Sequence, residues 1–191
     1  VSNDASRVME SALQLRRIIE DMVNLRYLKQ SQSELKRDET TLSELLMDLK
    51  QDVLTLTDLH AHSLQMNQEG DTELFIDRGR VVMALTNILN NAARFTPPGG
   101  KITINATIPN EREAWISVTD TGIGLAQEHL QEIFDEFYQV EDHMTRKHGG
   151  LGIGLSISRA LIKAHGGRIW ASSPGINQGT TVTVTLPLAK G

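Results

Sequence analysis

The chain has 191 residues, of which 39% are apolar and 23% are charged, and it contains no cysteine. At roughly 100–200 residues per domain, this length predicts one domain, or one domain with an appendage, that can bury a core without cross-links. The lack of cysteine excludes a disulfide framework, a zinc–thiolate site and a cysteine nucleophile. A net charge of −5 with 4% aromatic residues argues against a nucleic-acid-binding surface.

No stretch approaches the roughly 18 consecutive apolar residues of a membrane helix, and no signal peptide is visible. We therefore expect no membrane contact from this segment and a cytoplasmic location. The chain opens on Val1 within a helical pattern. We expect it to be a piece of a longer protein, in which a membrane anchor upstream stays an open alternative.

The first 40 residues predict an amphipathic helix followed by a polar linker or helix break over 31–41. Apolar residues recur at spacings of three and four: Ala5, Val8, Ala12, Leu15, Ile19 and Met22. This seven-residue period keeps one seam facing a partner helix, and Ile18 and Leu25 widen the seam to one that suits a bundle. A lone helix packed on its own domain is the competing interpretation.

The rest of the chain alternates between helical and strand periods. Helices are predicted over 42–60, 78–95, 127–134 and 155–165, the last stopped by Gly166 and Gly167. Strands are predicted over 63–67, 73–77, 101–108, 114–120, 168–172 and 180–186. This order predicts an α+β fold with a mixed, mainly antiparallel sheet and helices on one face.

Polar side chains form a stripe on the helix predicted over 78–95. Asn87, Asn91 and Arg94 fall at i, i+4 and i+7, so they share one narrow side of an otherwise apolar helix. An asparagine carbonyl oxygen suits Mg²⁺, which takes further oxygens from phosphates and water, and Arg94 could neutralise those phosphates. A solvent-exposed helix face is the alternative.

A second candidate site is the sequence DTGIGL at Asp120–Leu125, where a strand ends. Asp120 is in phase with the inward-facing residues of that strand, so its carboxylate needs a buried donor such as an adenine amino group. Gly122 and Gly124 would let the backbone approach a ligand without Cβ obstruction. An Asx turn between strand and helix is an equal alternative.

A third candidate is the glycine-rich sequence before the helix at 155–165. Four of the six residues 149–154 are glycine, and they would expose backbone N–H groups at the positive end of the helix dipole, where anions bind. The spacing does not match the Walker pattern, which needs Lys and then Ser or Thr after the last glycine. Arg146 and Lys147 could close over a triphosphate as a lid, although a solvated loop is the alternative.

In this order, the motifs resemble those of sensor histidine kinases. The resemblance is carried by an N box at 87–95, a first glycine box at 120–125, an F box at 133–138, a second glycine box at 149–158, and a domain end at 179–181 and 185–187. It covers roughly residues 50–188, and the joint pattern is highly specific. The N-terminal helix is similar to the second helix of the dimerisation and phosphoacceptor hairpin.

The resemblance implies a two-layer α/β sandwich of the Bergerat ATP-binding type, shared with DNA gyrase and heat-shock chaperone ATPases, after an amphipathic bundle helix. It divides the chain into a partial dimerisation helix with linker, 1–40, and a catalytic ATP-binding domain, 41–191. It further implies that Mg-ATP donates its γ-phosphoryl to a histidine upstream, for relay to an aspartate of a response regulator receiver domain. The parent protein is expected to be a homodimer.

The resemblance also implies roles for residues. Asn91 is expected to bind Mg²⁺, Asp120 to read adenine and Arg94 to contact phosphate, while Asn87 stands where gyrase-like hydrolases carry a general-base glutamate. Because an amide cannot take a proton from water, hydrolysis should be poor. Asn87, Asn91 and Arg94 are the expected catalytic residues. The expected nucleotide contacts are these three together with Phe95, Asp120, Gly122, Ile123, Gly124, Tyr138, Arg146, Lys147, Gly150, Leu151, Gly152, Ile153, Gly154, Leu155 and Thr181.

The sequence departs from the family pattern at three points. Leu151 stands where Thr or Ser is common, Gln139 replaces a frequent Arg, and no histidine precedes His60. We therefore expect this chain to bind ATP but not to phosphorylate itself. The remaining aromatic residues of interest are expected in the core: Phe134, Phe137, Trp115 and Trp170.

Three other functions stay open. The fold also serves serine/threonine kinases such as anti-sigma factors, although the seven-residue seam argues against that function here. A non-catalytic module that ATP binding switches is the second alternative. A gyrase-like ATPase is the third, and turnover of free ATP would identify it.

Overall fold

The computed structural model describes Leu15, Ile19 and residues 35–60, 62–140 and 152–189. Of the predicted N-terminal stripe, Leu15 and Ile19 are both helical, and their side chains are 59% and 53% exposed. These two apolar side chains are therefore more than half exposed to solvent. The other residues of the stripe lie outside the described residues. No helix of the described residues is both long enough and apolar enough to span a membrane.

Seven strands and four helices follow within the described residues from 35 onward. In chain order they are β1 (Asp38–Thr41), α1 (Leu42–His60), β2 (Ser63–Gln68), β3 (Glu73–Ile76), α2 (Arg78–Phe95), β4 (Lys101–Thr107), β5 (Glu113–Asp120), α3 (His129–Glu132), α4 (Gly154–Ala164), β6 (Ile169–Ser172) and β7 (Thr181–Pro187). The bounds agree with the predicted elements within one or two residues at each end, except at β1, which was not predicted.

The prediction of a linker over 31–41 is wrong for its last four residues. Strand β1 pairs antiparallel with β3, with Asp38 opposite Ile76 and Thr41 opposite Glu73. Thr41 then caps α1: its Oγ1 accepts from the Glu44 N–H at 3.1 Å, and a Glu44 oxygen accepts from the Thr41 N–H at 3.0 Å. This reciprocal capping box starts the helix, and polar composition alone concealed the short strand before it.

The main sheet has five strands in the order β2-β4-β5-β7-β6. Strands β2 and β4 pair in parallel, and the other neighbours are antiparallel. The predicted mixed, mainly antiparallel sheet is therefore confirmed. Although β2 and β3 flank a short turn, they do not pair with each other, because β3 belongs to the two-stranded sheet with β1.

One face of the sheet is covered by helices, as predicted. Alternate residues of the central strands are buried there: Ile102, Ile104 and Ala106; Ala114, Ile116 and Val118; Val182, Val184 and Leu186. They belong to the same core cluster as the apolar sides of α1, α2 and α4, which include Leu45, Leu49, Leu85, Ile88, Ile157 and Leu161. Burial of this continuous apolar layer fixes which strand residues face the helices.

The prediction that the aromatic residues are all core is right only for Phe134, which is 4% exposed. Phe137 is 60% exposed and has a positive φ of 63°. Trp115 alternates with the buried residues of β5, so it lies half-buried on the opposite face of the sheet, where it packs edge-on against Trp170 at 5.2 Å between ring centroids. The helix predicted over 127–134 shortens to α3, and a tighter turn follows, in which the Phe134 N–H bonds to Gln131 O.

Candidate functional site

Helix α2 carries the predicted polar stripe on a well-defined frame. Its N-cap is Asp77, whose side chain accepts from the Arg80 N–H, and its C-cap is Thr96, whose N–H and hydroxyl both donate to Ala92 O. The next residue is Pro97, which cannot continue the helix hydrogen bonds. The stripe therefore sits on a helix whose two ends are both fixed.

The middle of α2 lies against the start of α4. The Asn87 side-chain amide donates to Gly154 O at 3.3 Å, and the Ser158 hydroxyl donates to Ala84 O at 2.8 Å. Gly154 faces Asn87 closely, because a Cβ at Gly154 would lie 3.9 Å from the Asn87 side chain. The glycine-rich helix start and the asparagine stripe, which are 67 residues apart in sequence, therefore meet.

The end of α2 lies against the loop that follows Asp120. The Ile123 N–H donates to Phe95 O at 3.1 Å. A Cβ at Gly122 would lie only 2.4 Å from the same carbonyl oxygen, so this position has no room for a side chain. Asn91 lies one turn after Asn87 and about one turn before Phe95, which is about 6 Å along the helix axis in each direction. It is thus placed between the glycine-rich start of α4 and the Asp120 loop.

The carboxylate of Asp120 is oriented by backbone donors. Its Oδ1 accepts from the Gly122 N–H at 2.8 Å and from the Thr180 N–H at 3.3 Å. Within the described residues, both of its hydrogen bonds fall on this oxygen, so Oδ2 is available to a ligand. Burial raises the pKa of Asp120, and the two N–H donors lower it by less.

Two glycines of the DTGIGL sequence are needed for contacts within the chain. Gly124 has φ of +65°, and a Cβ there would lie 2.0 Å from Gly175 O. The loop before β7 is bonded to this sequence through the Asn177 N–H to Ile123 O and the Gly179 N–H to Gly122 O. The predicted close approach to the backbone is therefore real, but this chain's own carbonyl groups make it. No ligand is required to explain it.

The F box and the second glycine box are joined at Gly152. The Phe137 N–H donates to Gly152 O at 3.1 Å, and Gly152 has φ of +70° with Tyr138 O 2.7 Å from its ideal Cβ position. The Tyr138 hydroxyl donates to Glu132 and contacts His129 Nδ1 at 2.7 Å, and the bond to Glu132 raises the pKa of Tyr138 to about 12. The predicted contacts at Arg146, Lys147, Gly150 and Leu151 lie outside the described residues.

The prediction for Thr181 needs correction. Thr181 lies opposite Thr119 in the β5–β7 ladder, and their hydroxyl oxygens are 2.9 Å apart. Because Thr119 and Asp120 point to opposite faces of β5, Thr181 lies on the face away from Asp120. The preceding residue, Thr180, is the one whose N–H reaches the Asp120 carboxylate. Strand alternation counted from buried Val182 would have identified it in the sequence.

The other predicted nucleotide contacts differ in how far their side chains are exposed to solvent. Ile153 is fully buried in the core, so only its backbone can face a ligand. Leu155 is partly buried and packs against the core, whereas Asn91, Arg94 and Phe95 are half-buried. The Arg94 guanidinium lies 5.0 Å from the centroid of the Phe95 ring, which holds one of the expected cations beside the Asp120 loop.

The donor set fits a magnesium nucleotide better than a cage of protein carboxylates. Among the described residues, no group of three or more His, Asp or Glu side chains could hold a metal ion. Within the same residues, the half-buried Asn91 amide makes no hydrogen bond, so its carbonyl oxygen is available. Mg²⁺ commonly keeps several waters and uses phosphate oxygens with few protein ligands, which is compatible with a single asparagine.

Comparison with known proteins agrees with this geometry. The family model for the histidine kinase-, DNA gyrase B- and HSP90-like ATPases matches residues 76–190, which is more than half of the chain. The sensor histidine kinase WalK of Bacillus subtilis (strain 168) is 40% identical over 129 residues, covering 67% of this chain and 21% of WalK. The sensor protein SrrB of Staphylococcus aureus (strain NCTC 8325 / PS 47) is 32% identical over 180 residues, covering 94% of this chain and 30% of SrrB.

Solved structures show the same fold. The catalytic domain of the histidine kinase ThkA superposes with a TM-score of 0.68 at 25% identity, covering 81% of this chain and 97% of that one. The mycobacterial sensor histidine kinase MprB superposes with a TM-score of 0.70 at 20% identity, covering 81% and 99%. This chain spans less than a third of the length of the curated relatives WalK and SrrB. It belongs to the histidine kinase-, DNA gyrase B- and HSP90-like ATPase family, and the resemblance to the catalytic region of sensor histidine kinases is confirmed.

Proposed function

We propose that this chain binds Mg-ATP between α2, the Asp120 loop and the start of α4, and transfers the γ-phosphoryl to a histidine on an upstream helix. The observation that carries the proposal is the double attachment of α2. Its middle contacts Gly154 through Asn87, and its end contacts the Asp120 loop through Phe95. The three sequence motifs are thereby gathered around one helix.

Each residue has a distinct task in this proposal. Asp120 Oδ2 accepts from the adenine amino group, while Oδ1 stays bonded to the backbone. The N–H groups at the start of α4 face phosphate oxygens, where the helix dipole favours negative charge. Asn91 would hold Mg²⁺, which supplies charge neutralisation to the transferred phosphoryl group, and Arg94 would add to that neutralisation.

Asn87 favours transfer over hydrolysis. A general base that activates water needs a proton acceptor, whereas the Asn87 amide donates a hydrogen bond to Gly154 O. A carboxylate at this position would face that carbonyl oxygen with a like partial charge. The gyrase-like ATPase alternative is therefore disfavoured, and the γ-phosphoryl is kept for a protein acceptor.

We further infer the partners of the parent protein. The exposed apolar residues Leu15 and Ile19 on a helix support a homodimeric helical bundle. A structural neighbour, with a TM-score of 0.71 at 22% identity over 98% of this chain and 49% of that one, is described as histidine kinase ThkA in complex with the response regulator protein TrrA. It supports relay from the phosphohistidine to a receiver domain. We place this region in the cytoplasm.

Calorimetry and phosphotransfer together test the proposal. The chain should release heat with a non-hydrolysable ATP analogue and Mg²⁺, and Asn91→Ala should weaken binding only when Mg²⁺ is present. In the longer protein, the same substitution should abolish phosphotransfer while the fold is retained. Signalling that persists without phosphotransfer would support the non-catalytic module instead, and phosphoserine on a partner would support the anti-sigma type of kinase.

A further inference from the structure

A ladder of three hydrogen-bonded contacts joins α2 to α4 along their length. Asn87 bonds to Gly154 O, the Ser158 hydroxyl bonds to Ala84 O, and the Asp77 N–H bonds to His165 Nε2 at 3.1 Å. Residue numbers fall along α2 as they rise along α4, so the helices are antiparallel. The first contact lies in the proposed nucleotide site, and the last lies at the opposite end of the pair.

The last contact depends on a single state of a buried histidine. His165 is 2% exposed, and its Nδ1 lies 2.7 Å from Leu161 O. Because Nε2 accepts from the Asp77 N–H, the proton must sit on Nδ1, from which it is donated to Leu161 O. Asp77 is the residue that caps α2. His165 therefore fixes the start of α2 to the end of α4, and only the neutral ring can do so.

The chain that leads into the domain is attached at the same place. The Lys36 N–H donates to Asp77 Oδ2 at 3.0 Å, and the Arg37 guanidinium donates to Ala164 O at 2.8 Å. The charged groups that face His165 are thus Arg37 from the incoming segment, and Asp77 and Arg80 from the start of α2. Burial lowers the pKa of His165, and the two arginines add to this against Asp77 and the bond to Leu161 O.

We propose that His165 is a positioning residue for nucleotide binding, which holds α2 in axial register with α4 so that Asn87 and Asn91 face the glycine-rich helix start. The inference rests on the proposed function of that site. Protonation would place an N–H on Nε2 opposite the Asp77 N–H, so the acceptor would be lost and two donors would face each other. The start of α2 would then move away from α4, and the misplacement would be carried along the rigid helix to the asparagines.

Two substitutions at His165 separate positioning from packing. In His165→Gln, the side-chain Oε1 can occupy the place of Nε2 and accept from Asp77. His165→Leu keeps apolar volume but removes the acceptor. We expect the Kd of the chain for a non-hydrolysable ATP analogue with Mg²⁺ to rise about three- to tenfold in His165→Leu, and to stay within about twofold of the original in His165→Gln.

The matched control is Ile104→Val, in the fully buried interior of β4. It should lower the melting temperature without changing the Kd, because it lies on neither helix of the pair. If His165→Leu has a lower melting temperature than the original chain but the same Kd as Ile104→Val, His165 has only a packing role and the proposal is wrong. If His165→Leu does not fold, the comparison below decides the question.

A pH profile provides the second, independent readout. Protonation of ATP and of Asp120 affects the original chain and His165→Gln alike, so the ratio of their Kd values isolates His165. We expect the Kd of the original chain, divided by the Kd of His165→Gln, to rise as the pH falls from about 7.5 to about 5, a range that passes through and below the usual histidine pKa. Superimposable profiles would overturn the proposal. Absence of binding by the original chain at about pH 7.5 would instead overturn the proposed function itself.

Discussion

Replacing Asp120 by asparagine should change stability and nucleotide affinity in opposite directions. Asparagine has the same shape, and its side-chain oxygen can keep the bonds from the Gly122 and Thr180 N–H groups. Its amide nitrogen would then stand where Oδ2 stands now. A donor would face the adenine amino group, which is also a donor.

The affinity loss follows from the loss of a hydrogen bond to a charged group. Such bonds contribute about 1.5–3 kcal/mol, so the Kd for the ATP analogue should rise about 10- to 100-fold. The stability effect has the other sign. Because the folded-state pKa of Asp120 is raised by burial, the charged carboxylate is disfavoured in the folded protein at neutral pH. The folded state favours the protonated side chain, whose stabilising contribution is present at acid pH and is lost as the pH rises through the folded-state pKa.

Asp120→Asn should therefore be at least as stable as the original chain at about pH 7, and its advantage should disappear at low pH. Urea unfolding at both pH values measures this, and calorimetry with the ATP analogue measures affinity on the same material. Asp120→Ala is the control, because it removes both the backbone bonds and the proposed contact to adenine. Unchanged affinity in a stable Asp120→Asn protein would refute the assignment of Asp120 as the adenine contact.

Three further predictions concern the frame of the site and its pH response. Gly124→Ala should lower the free energy of unfolding by more than about 1–2 kcal/mol, which is the cost of a left-handed conformation for a residue other than glycine, because its Cβ would also lie 2.0 Å from Gly175 O. The control is Gly99→Ala, where φ is +83° and no atom lies within 4 Å of the added Cβ, so only the cost of the left-handed conformation is expected. Equal losses in urea melts would contradict the crowding argument. Thr41→Ala should cost about 1 kcal/mol by removing the α1 cap, and an unchanged urea midpoint would show that the cap is dispensable. Because the folded-state pKa of His165 is lowered, thermal stability should fall as the pH drops below the usual histidine value of about 6.5, and His165→Gln should flatten that fall in calorimetric scans.

The sequence was most informative where a strong period coincided with clear stop signals. Helix α2 begins at Arg78 and ends at Phe95 as predicted, because an apolar stripe runs from a capping aspartate to two prolines. The inward direction of Asp120 followed from the same alternation that buries Ile116 and Val118. In each case a local pattern and the global core require the same arrangement.

Other features depended on contacts that sequence spacing does not encode. Strand β1 is only four residues long, and its partner β3 lies beyond α1 and β2, so nothing local indicated it. The contact between Asn87 and Gly154 joins segments far apart in the chain, and only the order of the motifs suggested it. The prediction of Thr181 misses Thr180, because the register of β7 puts Thr181 opposite Thr119 and only the Thr180 N–H reaches Asp120. The prediction of Phe137 as a core residue is wrong because hydrophobic character alone does not determine burial.

The segment that leads into the domain contacts the start of α2 and the end of α4 through Lys36 and Arg37. The Lys36 N–H bonds to the Asp77 side chain, the Arg37 guanidinium bonds to Ala164 O, and β1 then pairs with β3. A rotation of the segment before β1 would therefore act on Asp77 and Ala164, which lie at one end of the α2–α4 helix pair. The opposite end of the helix pair carries the asparagine stripe and the glycine-rich start of α4, so a displacement at Arg37 would be transmitted along both helices to the candidate site.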